Sequence, residues 1–260
     1  MKKTLTTMTK YMIHLFDKGY NEGFKAGKAD VPDGGYDEGF EDGKQAEYTA
    51  FWDEFFENGN RKNFFGAFYG HSWSEKNLRP NHDIICEGSI ASMFRENRFS
   101  GSIKQRFADL GIEFNTSGAT TSSYDCTSSV KVTEFPDFDF TNTTNANNTF
   151  SGCVKLESQV ITVSDKTAFS NTFRNCTSLA NLTVKGTIGK SIDLSQCPLT
   201  LESAKSVINA LHPKLAEYTQ TVSFSAYTWG LLDADVGYRI TENSYISWRT
   251  YITENIRWNI

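Results

Sequence analysis

Long apolar runs are missing from this 260-residue chain. No stretch approaches the roughly 20 consecutive apolar residues that cross a bilayer, so no membrane partner is expected. Met1, Lys2 and Lys3 carry the charge of a leader peptide, but Lys10 and His14 interrupt what would have to be its apolar segment. No small-residue cleavage site follows, and the mature chain is expected to start at Met1. A cationic surplus is missing too: 26 Lys and Arg face 31 Asp and Glu, a net charge of −5. That balance argues against a broadly basic nucleic-acid binder, since nothing neutralises phosphates in bulk. The five cysteines are odd in number and hold no Cys-x-x-Cys pair. A disulfide scaffold and structural zinc are both poorly supported, and reduced thiols are expected.

Catalytic motifs are equally scarce. Of the four histidines, His14, His71, His82 and His212, no two stand four apart on a helix face, and no Gly-x-Ser-x-Gly elbow occurs. Gly186-Thr187-Ile188-Gly189-Lys190-Ser191 ends like a phosphate loop, but Val184 stands where the first glycine is required. Ile192-Asp193-Leu194 then reads as strand, so no helix N-terminus follows to take a phosphate. Asp137 and Asp139 resemble a carboxylate pair, yet one reads as turn and the other as an outward strand residue. Spacing for a calcium loop is absent. The expectation is a protein without enzymatic activity, metal or cofactor.

Aromatic residues, by contrast, are plentiful: 14% of the chain, with 20 Phe, against 38% hydrophobic overall. Near the N-terminus, Gly19-Tyr20-Asn21-Glu22-Gly23-Phe24-Lys25-Ala26-Gly27-Lys28 recurs as Gly35-Tyr36-Asp37-Glu38-Gly39-Phe40-Glu41-Asp42-Gly43-Lys44. Glycines every four residues form one helical stripe that admits another backbone closely. Each glycine also costs about 1 kcal/mol of helix stability relative to Ala. Gly19, Gly23, Gly27, Gly35, Gly39 and Gly43 are therefore read as an attachment or oligomer stripe on residues 1–45. Residues 46–83 follow as an aromatic helix and N-terminal cap, with Tyr48, Phe51, Trp52 and Phe55 on one face.

Residues 84–199 repeat. Apolar-x-apolar triplets occur at Ile112-Glu113-Phe114, Phe138-Asp139-Phe140, Ile161-Thr162-Val163 and Leu182-Thr183-Val184, spaced by 26, 23 and 21 residues. Cys126, Cys153, Cys176 and Cys197 keep step at 27, 23 and 21. A period of this size with one short strand per unit predicts a leucine-rich-repeat-like solenoid. Strand alternation puts the outer residues of each triplet inside and leaves Glu113, Asp139, Thr162 and Thr183 as an exposed binding column. The Phe and Cys of the return segments fill the interior, and Ser, Thr and Asn make the turns. Residues 200–260 are expected to close the open end: a helix capped by Thr200 and stopped at Pro213, a strand at 221–226, a second helix near 241–253 and a last strand at 256–260.

Units such as Phe173-Arg174-Asn175-Cys176-Thr177-Ser178-Leu179-Ala180-Asn181-Leu182 resemble BspA-type leucine-rich repeats. Three segments resemble a group of such repeat proteins from tailed phages and prophages of gut Firmicutes. They are residues 43–53 with Asn58-Gly59-Asn60-Arg61, residues 181–189, and Leu199-Thr200-Leu201-Glu202-Ser203-Ala204. The resemblance spans residues 35–226 and departs after Trp229, where the C-terminal cap is enlarged. It implies a tail or other component of a virion, made in the host bacterial cytoplasm; the fold expected from the strands and helices above is α+β. Its expected partners are other virion proteins, copies of itself, or a host surface protein or glycan. The alternative is a binding module outside the particle, either an adhesin or an inhibitor of a host protein.

Overall fold

A computed structural model describes residues 83–213, 219–242 and 244–260. The glycine stripe from Gly19 to Gly43, the aromatic helix and His82 lie outside the described residues. The described chain mixes helix with a curled, parallel, open sheet, and no closed barrel forms among these residues.

Parallel pairing recurs along the chain. β1 (Ile84–Ile85) pairs with β3 (Phe114–Asn115), and β2 (Gly101–Ser102) with β4 (Val132–Glu134). β4 and β5 (Phe138–Asp139) both pair with β6 (Ser158–Val163), and β6 with β7 (Asn181–Gly186). β8 (Ile192–Leu194) pairs with β9 (Val222–Phe224). Bridges Ser89–Thr121, Asn145–Ala168, Ile188–Leu211 and Thr221–Asn259 repeat the parallel relation at other points. Partners stand 30 residues apart at β1/β3, 23 at β5/β6 and β6/β7, and 30 at β8/β9. Each pass of the chain thus lies beside the previous one.

The return segments stack with the same regularity. Phe94 N–H donates to Asp125 O, Cys126 N–H to Thr149 O at 2.8 Å and Phe150 N–H to Thr172 O at 3.0 Å. These bonds bring Phe94, Cys126, Phe150 and Phe173 to one level. Two further positions per pass need a left-handed backbone. One is Ser92, Tyr124, Asn148 and Asn171, at φ 60, 57, 57 and 53°; the other is Glu96, Ser128, Gly152 and Asn175, at 55, 61, 78 and 60°. Asn and Gly tolerate that region best, so the Asn-rich returns are conformational chemistry rather than generic polarity.

Cys126 therefore does not share a column with Cys153, Cys176 and Cys197, as equal cysteine spacing suggests. It occupies the aromatic column, and Ser129 takes the cysteine position of its pass. Ser129 Oγ donates to Phe94 O at 2.6 Å, Cys153 Sγ to Cys126 O at 2.9 Å, and Cys176 Sγ to Phe150 O at 3.1 Å. Cys197 Sγ reaches Phe173 O at 3.7 Å. One geometry serves a hydroxyl and three thiols. Volume lost at Cys126 is made up by Phe135, whose ring lies 5.8 Å from Phe94 and 5.9 Å from Phe150. Phe150 and Phe173 stack directly at 5.5 Å. All five cysteines are free and buried.

Four helices occur among the described residues, each entered through a Ser or Thr whose side chain accepts a backbone N–H. α1 (Ile103–Asp109) is capped by Ser102, and buries Ile103 and Phe107 one turn apart. α2 (Leu201–Ala210) is capped by Thr200, as its sequence predicts, and buries Ala204, Val207 and Ile208. α3 (Ala226–Ala234) starts from Ser225. α4 (Trp248–Thr250) starts from Ser247 and runs on as a π-helical turn through Tyr251–Asn255.

The C-terminal layout departs from expectation in two places. α3 was not foreseen, and Thr241 and Ser244–Ile246 belong to an antiparallel pair, β10 (Tyr238–Thr241) and β11 (Ser244–Ile246), rather than to a helix. The strand expected at 256–260 is reduced to one bridge, in which Val222 N–H donates to Asn259 O at 3.0 Å and Asn259 N–H to Gln220 O at 2.8 Å.

Candidate binding face

Register decides which side chains share the outer face. Asp139 lies opposite Thr162, and Thr162 opposite Lys185; Thr183 lies opposite Val160. Asp139, Thr162 and Lys185 therefore form one row. At its other end the Phe114 and Phe138 rings lie 5.5 Å apart and Thr116 Oγ1 bonds the Asp139 backbone, so we read Asn115 rather than Glu113 as continuing the row. Glu113 remains exposed, but it precedes β3, where its N–H donates to Asp83 Oδ1 at 3.0 Å. Thr183 is exposed one row away. Both displacements are two residues, and a two-residue shift keeps every side chain on its own face of a strand. Alternation alone cannot detect it. Gln159 supplies the missing signal at β6: it is an inward position filled by a polar residue, so β6 begins before its apolar triplet and Leu182 pairs with Gln159.

Individual side chains on the face differ in freedom. The Asp139 carboxylate accepts from Thr141 N–H at 2.9 Å and Thr141 Oγ1 at 2.5 Å, so it holds its own turn. Its backbone is tied to Thr116 Oγ1 on the previous pass at 2.7 Å. Thr162 is half-buried and Lys185 exposed. Beside them, Lys104 on α1 bridges Glu134 at 3.4 Å and Asp137 at 2.8 Å. Burial works against the Lys104 ammonium, but the hydrogen bond and charge of Asp137, helped by Glu134, prevail and raise its pKa. Asp137 and Asp139 thus serve a surface ion pair and a turn.

Burial pushes the Cys86 and Cys153 thiols up to about 12 and Cys176 and Cys197 higher still, which keeps them protonated and unreactive. Among the described residues no group of three or more His, Cys, Asp or Glu could hold a metal ion, and no helix is long and apolar enough to cross a membrane. Gly186 and Gly189 mark close backbone approach: a Cβ on either would lie 2.1 Å from a carbonyl oxygen, of Val163 and Asp165 respectively.

At the C-terminal end, Asp235 gathers Trp248 Nε1 at 2.8 Å, Lys205 Nζ at 3.0 Å and Gly237 N–H at 3.1 Å. The Trp248 hydrogen bond, with Lys205 beside it, lowers the Asp235 pKa. Arg249 grips Asp233 through two nitrogens, at 2.8 and 3.0 Å, and lies 4.0 Å from the centre of the Trp229 ring. These contacts fasten α2, α3 and α4 together.

Comparison of the chain with family models, with curated proteins and with solved structures returned no match.

Proposed function

We propose that residues 84–199 form a short leucine-rich-repeat-like solenoid within an α+β chain, closed by the helices and strands of residues 200–260. On this reading the protein is a non-enzymatic interaction component of a phage particle, at the tail or elsewhere on the virion. Its solenoid presents the outer strand face to a partner: another virion protein, a second copy, or a host surface protein or glycan. The observation that carries the binding-scaffold reading is the recurrent interior geometry, in which Ser129, Cys153, Cys176 and Cys197 each donate to the preceding pass. Such internally self-satisfied stacks are rigid supports for an exposed face. The assignment to a phage particle rests on the repeat resemblance.

Mass spectrometry of purified particles from the source phage tests the virion assignment. Detection at stoichiometric levels is expected; absence promotes an inhibitor or adhesin instead. The face is tested by changing Thr162→Arg with Lys185→Glu, which spares the turn that Asp139 holds. Loss of partner binding without loss of stability is expected. Unchanged binding moves the interface away from these strands.

A further inference from the structure

Asp125 is a carboxyl group inside the stack. It is 0% exposed and lies at the inward level occupied by Met93 on the pass before and by Thr149 and Thr172 on the passes after, all of them buried. Its Oδ2 accepts from Ser122 Oγ and its Oδ1 from Ser123 N–H at 3.1 Å. The Ser92 amide and the Thr149 hydroxyl, on the neighbouring passes, favour its charged form, although their own hydrogen bonds go to Ser123 O and Ala146 O. Every neighbour that bonds it is neutral, and among the described residues no cation pairs with it. Arg95, on the preceding pass, meets the Glu96 carboxylate at 3.4 Å and the Tyr124 ring at 6.0 Å. The titratable groups that sense the Asp125 charge are the Cys86 and Cys126 thiols, both held protonated by burial. A buried, uncompensated carboxylate is costly; the neutral acid is not.

We propose that Asp125 is a proton-operated latch inside the stack: as the buried neutral acid it lets the passes close over it, and as the carboxylate it loosens them. Ser122 Oγ can accept as well as donate, so the protonated pair stays hydrogen-bonded with its direction reversed. The same residue ties the passes through its backbone, since its carbonyl accepts Phe94 N–H at 2.5 Å. Burial pushes this carboxyl up to about 7, with the Ser122 and Ser123 hydrogen bonds opposing the rise. An unfolded aspartate titrates near ~4, so the folded state holds a proton that the unfolded state has released. Stability from this group is full below the unfolded value, declines as pH rises toward about 7, and is level above it.

The test compares the full-length chain with Asp125→Asn and Asp125→Thr, the second matching Thr149 and Thr172. Relative to either variant, the folding equilibrium constant of the parent should fall about tenfold per pH unit between pH ~4 and ~7. Parallel pH profiles would overturn the proposal. Should neither variant fold, hydrogen exchange of the parent reads the same latch. After correction for base catalysis, protection of the Phe94 and Glu96 amides, bonded to Asp125 O and Thr127 O, should drop from acid to neutral pH. Protection that stays constant across that range rejects it.

Discussion

Cys153 packs as a small apolar side chain and donates its thiol to the carbonyl of Cys126. Ser129 makes the same bond to Phe94 with a hydroxyl, and accepts Asn97 N–H at 2.9 Å as well. The position therefore asks for a compact donor more than for sulfur. Cys153→Ser should keep the bond and cost about 1 kcal/mol or less, whereas Cys153→Val removes the donor, crowds the column and should cost about 2 kcal/mol or more. Urea denaturation of the two variants side by side checks the order. Gly186 stands at φ +89°, where an L residue is strained. Gly186→Ala meets both that strain and the Val163 carbonyl, and a loss of more than about 2 kcal/mol is expected in the same measurement. The residues that mimic a phosphate loop are thus spacing devices between two passes.

At the scale of elements, α2 occupies the position that another strand would take beside β7. Its Ser203 and Ser206 hydroxyls accept Leu182 N–H at 3.0 Å and Val184 N–H at 3.1 Å, standing in for strand carbonyls. A helix with aliphatic residues in place of these two serines would cover the same area but leave those amides bare. Ser203→Ala with Ser206→Ala should destabilise by about 1–3 kcal/mol per orphaned amide. It should also raise the aggregation rate by exposing an unpaired edge, which light scattering during refolding would detect. The Thr200 cap and the apolar face of α2 were legible in the sequence because both are local signals. So were the strand faces, because alternation is local. Register was not: Asn115 and Lys185 enter the outer column through ring packing and through Gln159, which are contacts between passes. α3 and the β10–β11 pair escaped for another reason. Ser225-x-x-Thr228 and Ser247-x-x-Thr250 are helix-entry signals in plain view, but 221–226 reads as an alternating strand and the second helix was expected near 241–253.

At the scale of the whole described chain, an aromatic column runs from Phe94 through Phe135 and Phe150 to Phe173. Phe150→Ala sits at its centre, 0% exposed, and should cost about 3–5 kcal/mol, seen as a lower thermal midpoint. Passes of 23 residues in the middle give way to passes of 30 at either side, yet the interior columns continue through all of them. Surplus residues are accommodated outside the stack, α1 being the clearest case. Continuity is therefore kept by which side chains meet, not by a fixed chain length. Excising residues 150–172 joins Thr149 to Phe173, which restores the Thr172–Phe173 junction and leaves every level matched. The shortened chain should fold cooperatively with the circular dichroism shape of the parent and a lower midpoint. An excision of 20 residues from the same start should not fold. A gene carrying this fold can thus gain or lose one pass in a single recombination event, with the reading of its outer face lengthened or shortened by one position each time.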